Sequence, residues 1–448
     1  MSVAVWWIRR DLRLSDNKAL QSAASAGKVV PLFVYDDTLL ATSGDARREF
    51  MFRALNALDN SMDRALIYRD GPVVEVVVEF CRLVGADTVH ITEDFAPYGR
   101  RRDAEVEKAL AADGRQLVRA DTPYVIAPGT VRKDDGTPVK VFTPFYKRWL
   151  THQWSSAVEA KVEFADFRDL CVGSRMATGW TAHTPDPSEG AVWERFEEWA
   201  PRAMGDYKDA RNNPAIDGTS MLSPYLKFGI VHPRQLLQRL DGSAGSDIFR
   251  SEIAWREFYA DVLFHQPQTT WKNLQAKMDA LPIDSGAIAE ERFAKFCEGK
   301  TGYPIVDAGI RQLLGSGWMH NRVRMIVASF LVKDLHLPWQ WGAKFFMEHL
   351  LDADIASNAH GWQWTAGTGT DASPFFRVFN PMGQSEKFDP EGEYLRRWIP
   401  EIAHLDNKSI HAPWTLGLLA PTEYPEPIVD HAVERVEALA RYKVVSGK

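Results

Sequence analysis

The chain is poor in cysteine. Only Cys81, Cys171 and Cys297 occur in 448 residues, and none is spaced to pair with another. That argues against a disulfide framework, a thiolate zinc site and an iron–sulfur cluster. A basic excess is also missing: 53 Lys and Arg face 60 Asp and Glu, a net charge of −7. Any nucleic-acid partner must therefore meet a local patch, because no global field attracts it. No apolar run is long enough to cross a membrane, and the short run VAVWWI at 3–8 is ended by Arg9 and Arg10 too soon for a signal peptide. Neither a G-x-G-x-x-G fingerprint nor a Walker A lysine motif occurs, so neither standard phosphate loop is supported. The expected setting is a reducing, cytoplasmic one, with no bound metal.

Apolar residues (45%) and charged residues (25%) stand at the levels of an ordinary globular protein. The length allows two or three domains. Sixteen tryptophans are many. They make either a large aromatic core or a site that uses indoles.

The first third alternates. Apolar, β-rich runs lie at 3–8, 29–36, 66–71, 87–94 and 116–121, with helical patterns between them. Strands alternating with helices predict a parallel sheet covered on both faces. Ligands of such sheets bind at the carboxyl ends of the strands, where Arg9, Arg10, Asp36, Glu93 and Asp94 fall. From 128 to 190 periodicity fades into Pro, Gly, Thr and charges, which reads as a connector. From 191 to 448 the pattern is helical. The expected division is therefore 1–127, α/β; 128–190, linker; and 191–448, all-α.

Four stretches carry candidate chemistry. In SEIAWREFYADVLFH, Glu252, Trp255, Arg256 and Tyr259 share one helical face. Such a face suits a cavity that stacks a flat ligand and bonds its edge, or a helix seam with a buried ion pair. In WMHNRVRMIVASFLVKD, Asn321, Arg324 and Met325 share a face. Arg324 enters an apolar helix and needs a carboxylate, from Asp352 or Asp354. Arg322 points elsewhere and would reach a phosphate. The third stretch, DADIASNAHGWQWTAGTGTD at 352–371, holds almost no charge beyond its aspartates. Asp354 and Asn358 lie one turn apart, followed by Trp362 and Trp364, with Trp339 and Trp341 upstream. A buried amide both donates and accepts, as a ring atom that changes protonation with redox state requires. A nearby arginine would stabilise an anionic reduced flavin, and indoles in a row would relay electrons to it. An aromatic core with a buried polar network fits the same residues. In the fourth, DGTSMLSPYLKFG, Thr219, Ser220 and Ser223 precede a helix, where they would bind a pyrophosphate or simply cap.

Together these segments resemble the photolyase/cryptochrome family, over nearly the whole chain. The resemblance rests on WWIRRDLRLSDNKAL, GTSMLSPYLKFG, EIAWREFY, EGKTGYPIVDAGIRQLLGSGWMHNRVRM, ASFLVKDL, DADIASNAHGWQWTAGTGTDASPFFRVFNP and EKFDPEGEYLRRWIPE, in that order. Within the family it is similar to the class I enzymes for cyclobutane pyrimidine dimers. Met325 stands in the pocket helix, where the (6-4) enzymes are distinguished by paired histidines. The resemblance implies an N-terminal α/β antenna-binding domain and an all-α domain that binds FAD and DNA. It implies flavin phosphate and ribose contacts from Tyr207, Thr219, Ser220, Met221, Leu222 and Ser223. Arg324, Asp352, Asp354 and Asn358 would surround the flavin ring, and Trp362 and Trp339 would begin an electron chain. Glu252, Trp255, Asn321, Met325 and Trp364 would hold the dimer. Arg211, Arg256, Arg322, Arg377 and Gln384 would face DNA.

The implied activity is light-driven repair of dimers in UV-damaged DNA by a monomer; a blue-light sensor is the alternative. Two departures stand out. The family's third tryptophan, ahead of EGKTGYP, has no counterpart between 281 and 293, and Trp271 lies too early. In EDFAPYGRRRD, Gly99 stands near the place where folate-binding members carry an acid. A deazaflavin antenna (8-HDF) is therefore expected in preference to folate or FMN.

Overall fold

A computed structural model describes residues 2–173, 175, 180, 184–370 and 377–446. Part of the connector and the 371–376 end of the tryptophan-rich stretch lie outside these residues. The chain forms two compact units. One comprises Met1–Glu198 with Met221–Pro267, the other Trp199–Ser220 with Gln268–Lys448.

The first unit is built on five strands: β1 (Val3–Trp7), β2 (Lys28–Tyr35), β3 (Ile67–Asp70), β4 (Thr88–Thr92) and β5 (Gln116–Asp121). All pair in parallel, in the order β3-β2-β1-β4-β5, with Val5 opposite Val30 and Val89. All five are the runs expected from the sequence. The intervening helices are α1 (Lys18–Ala26), α2 (Asp45–Ser61), α3 (Val73–Val84) and α4 (Pro97–Ala112). Val5, Trp7, Val30, Leu32, Val89 and Ile91 form one core with Val77, Phe80 and Val84 of α3 and Val106 and Leu110 of α4. Their alternate neighbours Ala4, Trp6 and Val29 are buried as well. Burial of both faces is why these strands read as unbroken apolar runs. Cys81 belongs to this core, and burial pushes its thiol up to about 12, so it packs as an inert apolar residue.

The connector departs from expectation. It holds a helix, α5 (Phe142–Trp149), whose Phe142, Phe145 and Trp149 are buried. Phe142, Phe145, Tyr146 and Trp149 stand at i, i+3, i+4 and i+7, a complete aromatic stripe in eight residues. The stripe is too short to register against the Pro-, Gly- and charge-rich sequence around it. It packs on α6 (Ala244–His265), which Ser243 caps by accepting from the Ser246 N–H at 3.2 Å.

The second unit is helical. Its core lies among α7 (Pro304–Ser316), α8 (Asn321–Lys333), α9 (Trp339–His349) and α10 (Ile355–Ala366), with shorter helices around them. Gly342 of α9 lets α10 approach: a Cβ there would lie 2.1 Å from the Trp362 ring.

Candidate functional site

The second unit gathers most of the predicted flavin-side residues. Arg324 donates from Nη2 to Asp352 Oδ2 at 2.9 Å and from Nε to the Met319 carbonyl at 2.7 Å. The two open candidates are thus separated: Asp352 is the ion-pair partner and Asp354 is a cap. The Asp354 carboxylate accepts from the Ala356 and Ser357 N–H groups, both at 3.1 Å, and starts α10. One turn on, Asn358 donates through Nδ2 to the Ala343 carbonyl at 2.8 Å. That bond uses the amide nitrogen and leaves Oδ1 as the acceptor available to a ligand.

The low charge of this stretch is real. Burial pushes His360 down to about 4, so it is neutral at pH 7. His320, which caps α8 by accepting from the Arg322 N–H at 3.2 Å, is pushed down to about 3 by burial and then by Arg324 and Arg322. An acceptor nitrogen must be unprotonated, so the cap and the shift agree.

Trp362 is buried, edge-on to Phe346 at 5.0 Å. Trp339 donates its indole N–H to Asn273 at 2.8 Å. Asn273 had no signal in the sequence. Its neighbour Trp271 is about half exposed, and the Trp271 carbonyl accepts from Gln340 at 3.1 Å. Two buried polar atoms of this region, Asp352 Oδ1 and Trp362 Nε1, have no hydrogen-bond partner among the described residues. Unsatisfied buried groups of this kind are what a polar planar ligand satisfies.

Tyr207 begins the short helix Tyr207–Ala210 and packs edge-on against Trp199 at 5.3 Å. Gly218 folds back on this helix: a Cβ there would lie 2.2 Å from the Ala210 carbonyl oxygen. Thr219 and Ser220 follow directly from this close approach to the end of the helix that Tyr207 begins. Met221 follows with φ 54°, and Ser223 opens the helix Ser223–Phe228. Its N-cap is Leu222, so none of the three Ser and Thr residues occupies the capping position itself.

The DNA-facing candidates divide. Arg322 donates to Asn212 Oδ1 at 2.6 and 3.2 Å, and its guanidinium lies 4.5 Å from the Phe388 ring and 3.7 Å from Met325 Sδ. This gathers the loop of Arg211, the start of α8 with Asn321 and Met325, and the helix Pro381–Phe388 that carries Gln384. Arg377 stands apart. Its carbonyl accepts from Lys333, at the opposite end of α8 from Arg322. Eleven residues of helix put those two sites about 16 Å apart.

In the first unit α6 forms as expected, with Glu252 and Trp255 half-buried on it. Arg256 also has partners within this unit. Its guanidinium donates to the carbonyls of Pro123 at 3.0 Å and Leu226 at 3.3 Å, and lies over the Tyr124 ring. It is a tie between segments, because three backbone and ring partners outbid open solvent for a half-buried guanidinium. Glu257, unmarked in the sequence, is fully buried. It accepts from the N–H groups of Val125 and Ile126 and from the Trp149 indole at 2.6 Å.

Burial raises Glu257 from 4.5 to about 7, against the pull of those three donors. The folded chain thus holds this proton more tightly than the unfolded one. The resulting contribution to stability is complete below 4.5 and is lost as pH rises through about 7. In Glu257→Gln that dependence disappears: the melting temperature of the native chain falls more between about pH 5 and about pH 8 than that of the variant.

At the carboxyl ends of β1, β2 and β4, Arg9 pairs with Asp103 at 2.7 Å. Arg10 pairs with Asp94 at 3.5 Å, and Arg102 reaches Asp36, Asp94 and Asp103 at 3.0–3.7 Å. Trp7 and Tyr98 lie against these guanidinium groups. Gly99 is required here: a Cβ would fall 2.2 Å from the Asp94 carboxylate.

Comparison with known proteins gives a consistent picture. Residues 4–163 match the family profile described as DNA photolyase, and residues 249–444 match the FAD binding domain of DNA photolyase. The deoxyribodipyrimidine photo-lyase of Vibrio cholerae is 36% identical, over 98% of this chain and 99% of that protein. The crystal structure of a bacterial class III photolyase from Agrobacterium tumefaciens superposes with a TM-score of 0.91 at 35% identity, covering 100% of this chain and 98% of that one. An archaeal photolyase from Sulfolobus tokodaii, containing two FAD molecules, gives 0.85 at 28% identity, over 98% and 99%. A Synechocystis cryptochrome gives 0.85 at 26% identity, over 99% of each chain.

Proposed function

We propose that this chain, which belongs to the DNA photolyase family, repairs cyclobutane pyrimidine dimers in UV-damaged DNA with light. The observation that carries the proposal is the full-length likeness to deoxyribodipyrimidine photo-lyases, with the FAD-binding profile lying over α8, which bears Arg324, the turn that bears Asp352 and α10, which bears Asn358. Asp352 Oδ1 has no partner among the described residues, and Asn358 donates through Nδ2 so that its Oδ1 can accept, which fits a flavin edge. Bound and reduced, FAD supplies the electron that light drives into the dimer and that returns once the ring has opened.

The chain's own residues do the rest. Arg324 sets a cation beside the flavin, balanced by Asp352. Asn358 Oδ1 accepts from a ring N–H. Tyr207, Thr219, Ser220 and the chain through Met221, Leu222 and Ser223 hold phosphates and ribose. The dimer must leave the duplex, at a cost of a few kcal/mol that damage lowers. Trp255 and Trp364 offset it by stacking, at about 1–3 kcal/mol per base. Glu252 and Asn321 bond the exposed base edges, and Met325 packs the ring. Arg211, Arg322 and Gln384 meet phosphates without reading sequence, and Arg377 meets them farther along the duplex.

With FAD bound in its oxidised form, Trp362 and Trp339 would pass electrons inward from an added external reductant such as a thiol. In Trp362→Phe, blue light reduces the bound flavin only to a small fraction of the native extent. The chemically reduced variant still repairs at the native rate, because repair itself does not use the relay. Absorbance at the flavin band and a dimer-loss assay read the two effects.

The division 1–127, 128–190 and 191–448, a monomeric state and a cytoplasmic setting belong to the same proposal; among the described residues no helix is long and apolar enough to cross a membrane. For the antenna, a deazaflavin at the Arg9, Arg10 and Arg102 cluster is the choice, supported by rings and cations at the strand ends. Chromatography of the acid extract decides it. A second FAD would align this chain with the Sulfolobus photolyase instead.

The likeness to a cryptochrome supports a sensor as the second reading. Dimer loss from a UV-irradiated oligonucleotide, with reduced protein, separates the two. Loss in blue light and not in darkness supports repair. No loss in either condition, with reduced flavin bound, moves the reading to a sensor.

A further inference from the structure

The Trp255 indole does not stand alone. It lies face to face with the Phe142 ring, with centroids 3.7 Å apart and planes 9° from parallel. Phe142 is the first residue of α5, in the segment that reads as a connector. Its ring is held in turn. Phe258 meets it edge-on at 5.8 Å, and Tyr146 stacks behind it at 5.6 Å and 11°. The helix that carries it is anchored at its far end, where the Trp149 indole donates to buried Glu257 at 2.6 Å and Phe145 packs on Phe258 at 5.2 Å. Glu257 also fixes the backbone of Val125 and Ile126. The Phe142 ring is therefore a rigid surface, clamped from two sides.

We propose that Phe142 is a positioning residue for lesion binding: it backs one face of the Trp255 indole, fixing the plane on which the dimer stacks. This rests on the reading that Trp255 stacks the dimer. With one face on Phe142, a base can lie only on the opposite face. An indole free to turn about its side-chain bonds would lose rotational freedom on binding, and that loss would reduce affinity. Phe258, edge-on to the indole at 5.7 Å, and Tyr259, tilted at 5.4 Å, also restrain it, but Phe142 is the parallel ring that covers a face and so fixes the plane before the lesion arrives, as a supporting group preorganises a contact it never touches. The effect concerns the flipped dimer alone. Undamaged DNA, held through phosphates, does not use this plane.

The test compares dimer-containing and undamaged oligonucleotides of one sequence, with FAD-loaded protein in the dark. In Phe142→Ala, affinity for the dimer falls roughly three- to tenfold, the range of a lost aromatic pair. Affinity for undamaged DNA, flavin content and the repair rate at saturating dimer stay at native values. Phe142→Tyr, which keeps the ring, restores dimer affinity. Phe142→Leu, which keeps apolar volume and guards against misfolding, behaves like Phe142→Ala. In a Trp255→Ala background, Phe142→Ala has no further effect on dimer affinity. The inference is overturned if Phe142→Ala binds the dimer as tightly as the native chain. Equal weakening toward damaged and undamaged DNA, or an undiminished effect without Trp255, also overturns it. Trp255→Ala by itself distinguishes the two levels. If that variant keeps full dimer affinity, the stacking reading has failed. If it loses affinity while Phe142→Ala does not, the stacking reading stands and only the role of Phe142 has failed.

Discussion

Trp255→Ala binds a dimer-containing oligonucleotide about thirtyfold or more weakly than the native chain, while its affinity for undamaged DNA is unchanged. The magnitude follows from stacking at about 1–3 kcal/mol per base, applied to a lesion of two fused bases. Thirtyfold corresponds to about 2 kcal/mol, so it is the lower part of that range. The selectivity follows from geometry. In the proposed arrangement only an extruded lesion reaches the indole, whereas arginines on phosphates hold damaged and undamaged duplexes alike. Equilibrium binding in darkness isolates the effect, since no repair then occurs. Equal weakening on both DNAs would make the indole a support for α6 and remove it from the lesion pocket.

The second large effect concerns Arg324. The Asp352 side chain is 5% exposed and its Oδ2 lies 2.9 Å from the guanidinium. Its other oxygen has no partner among the described residues. Arg324→Met therefore leaves a buried carboxylate uncompensated, at a cost of about 3–5 kcal/mol. Urea unfolding of the flavin-loaded protein measures it. On the proposed role of Arg324 beside the flavin, the variant also loses FAD on gel filtration. Arg324→Met with Asp352→Leu recovers much of the stability, since no orphaned charge remains, but does not recover FAD retention. A loss below about 1 kcal/mol in the single variant would show that solvent or another group already compensates Asp352, leaving the pair idle.

Stability and cofactor retention separate in that experiment because the pair has two duties. Buried ion pairs replaced as a unit by apolar residues often cost nothing. Stability alone therefore does not require Arg324 and Asp352 to be charged, and the proposed flavin contact is the duty that remains.

Much of the molecule was legible in the residues themselves. The five strands, their parallel arrangement and the burial of both faces of β1, β2 and β4 follow from apolar runs of β-branched and aromatic residues between helical patterns. The helical face of Glu252 and Trp255 and the need of Arg324 for an acid follow from spacing and from the cost of burying a charge. Each is a property of a short window, and period and polarity are written there directly.

Tertiary structure decided what no window contains. Asp352 and Asp354 were equal candidates for Arg324; the turn before α10 takes Asp354 as its cap, and Asp352 pairs across 28 residues. Arg256 shares a face with Trp255 in the helical pattern, yet the carbonyls of Pro123 and Leu226 capture it. Arg322 and Arg377 are alike in sequence and are placed at opposite ends of α8. Phe142, in a segment read as a connector, stacks on Trp255 because Glu257 and the aromatic face of α6 seat its helix. Period and polarity choose the elements; which side chain meets which is settled by packing and by the hydrogen-bond demands of buried groups, and these act between residues far apart in the chain.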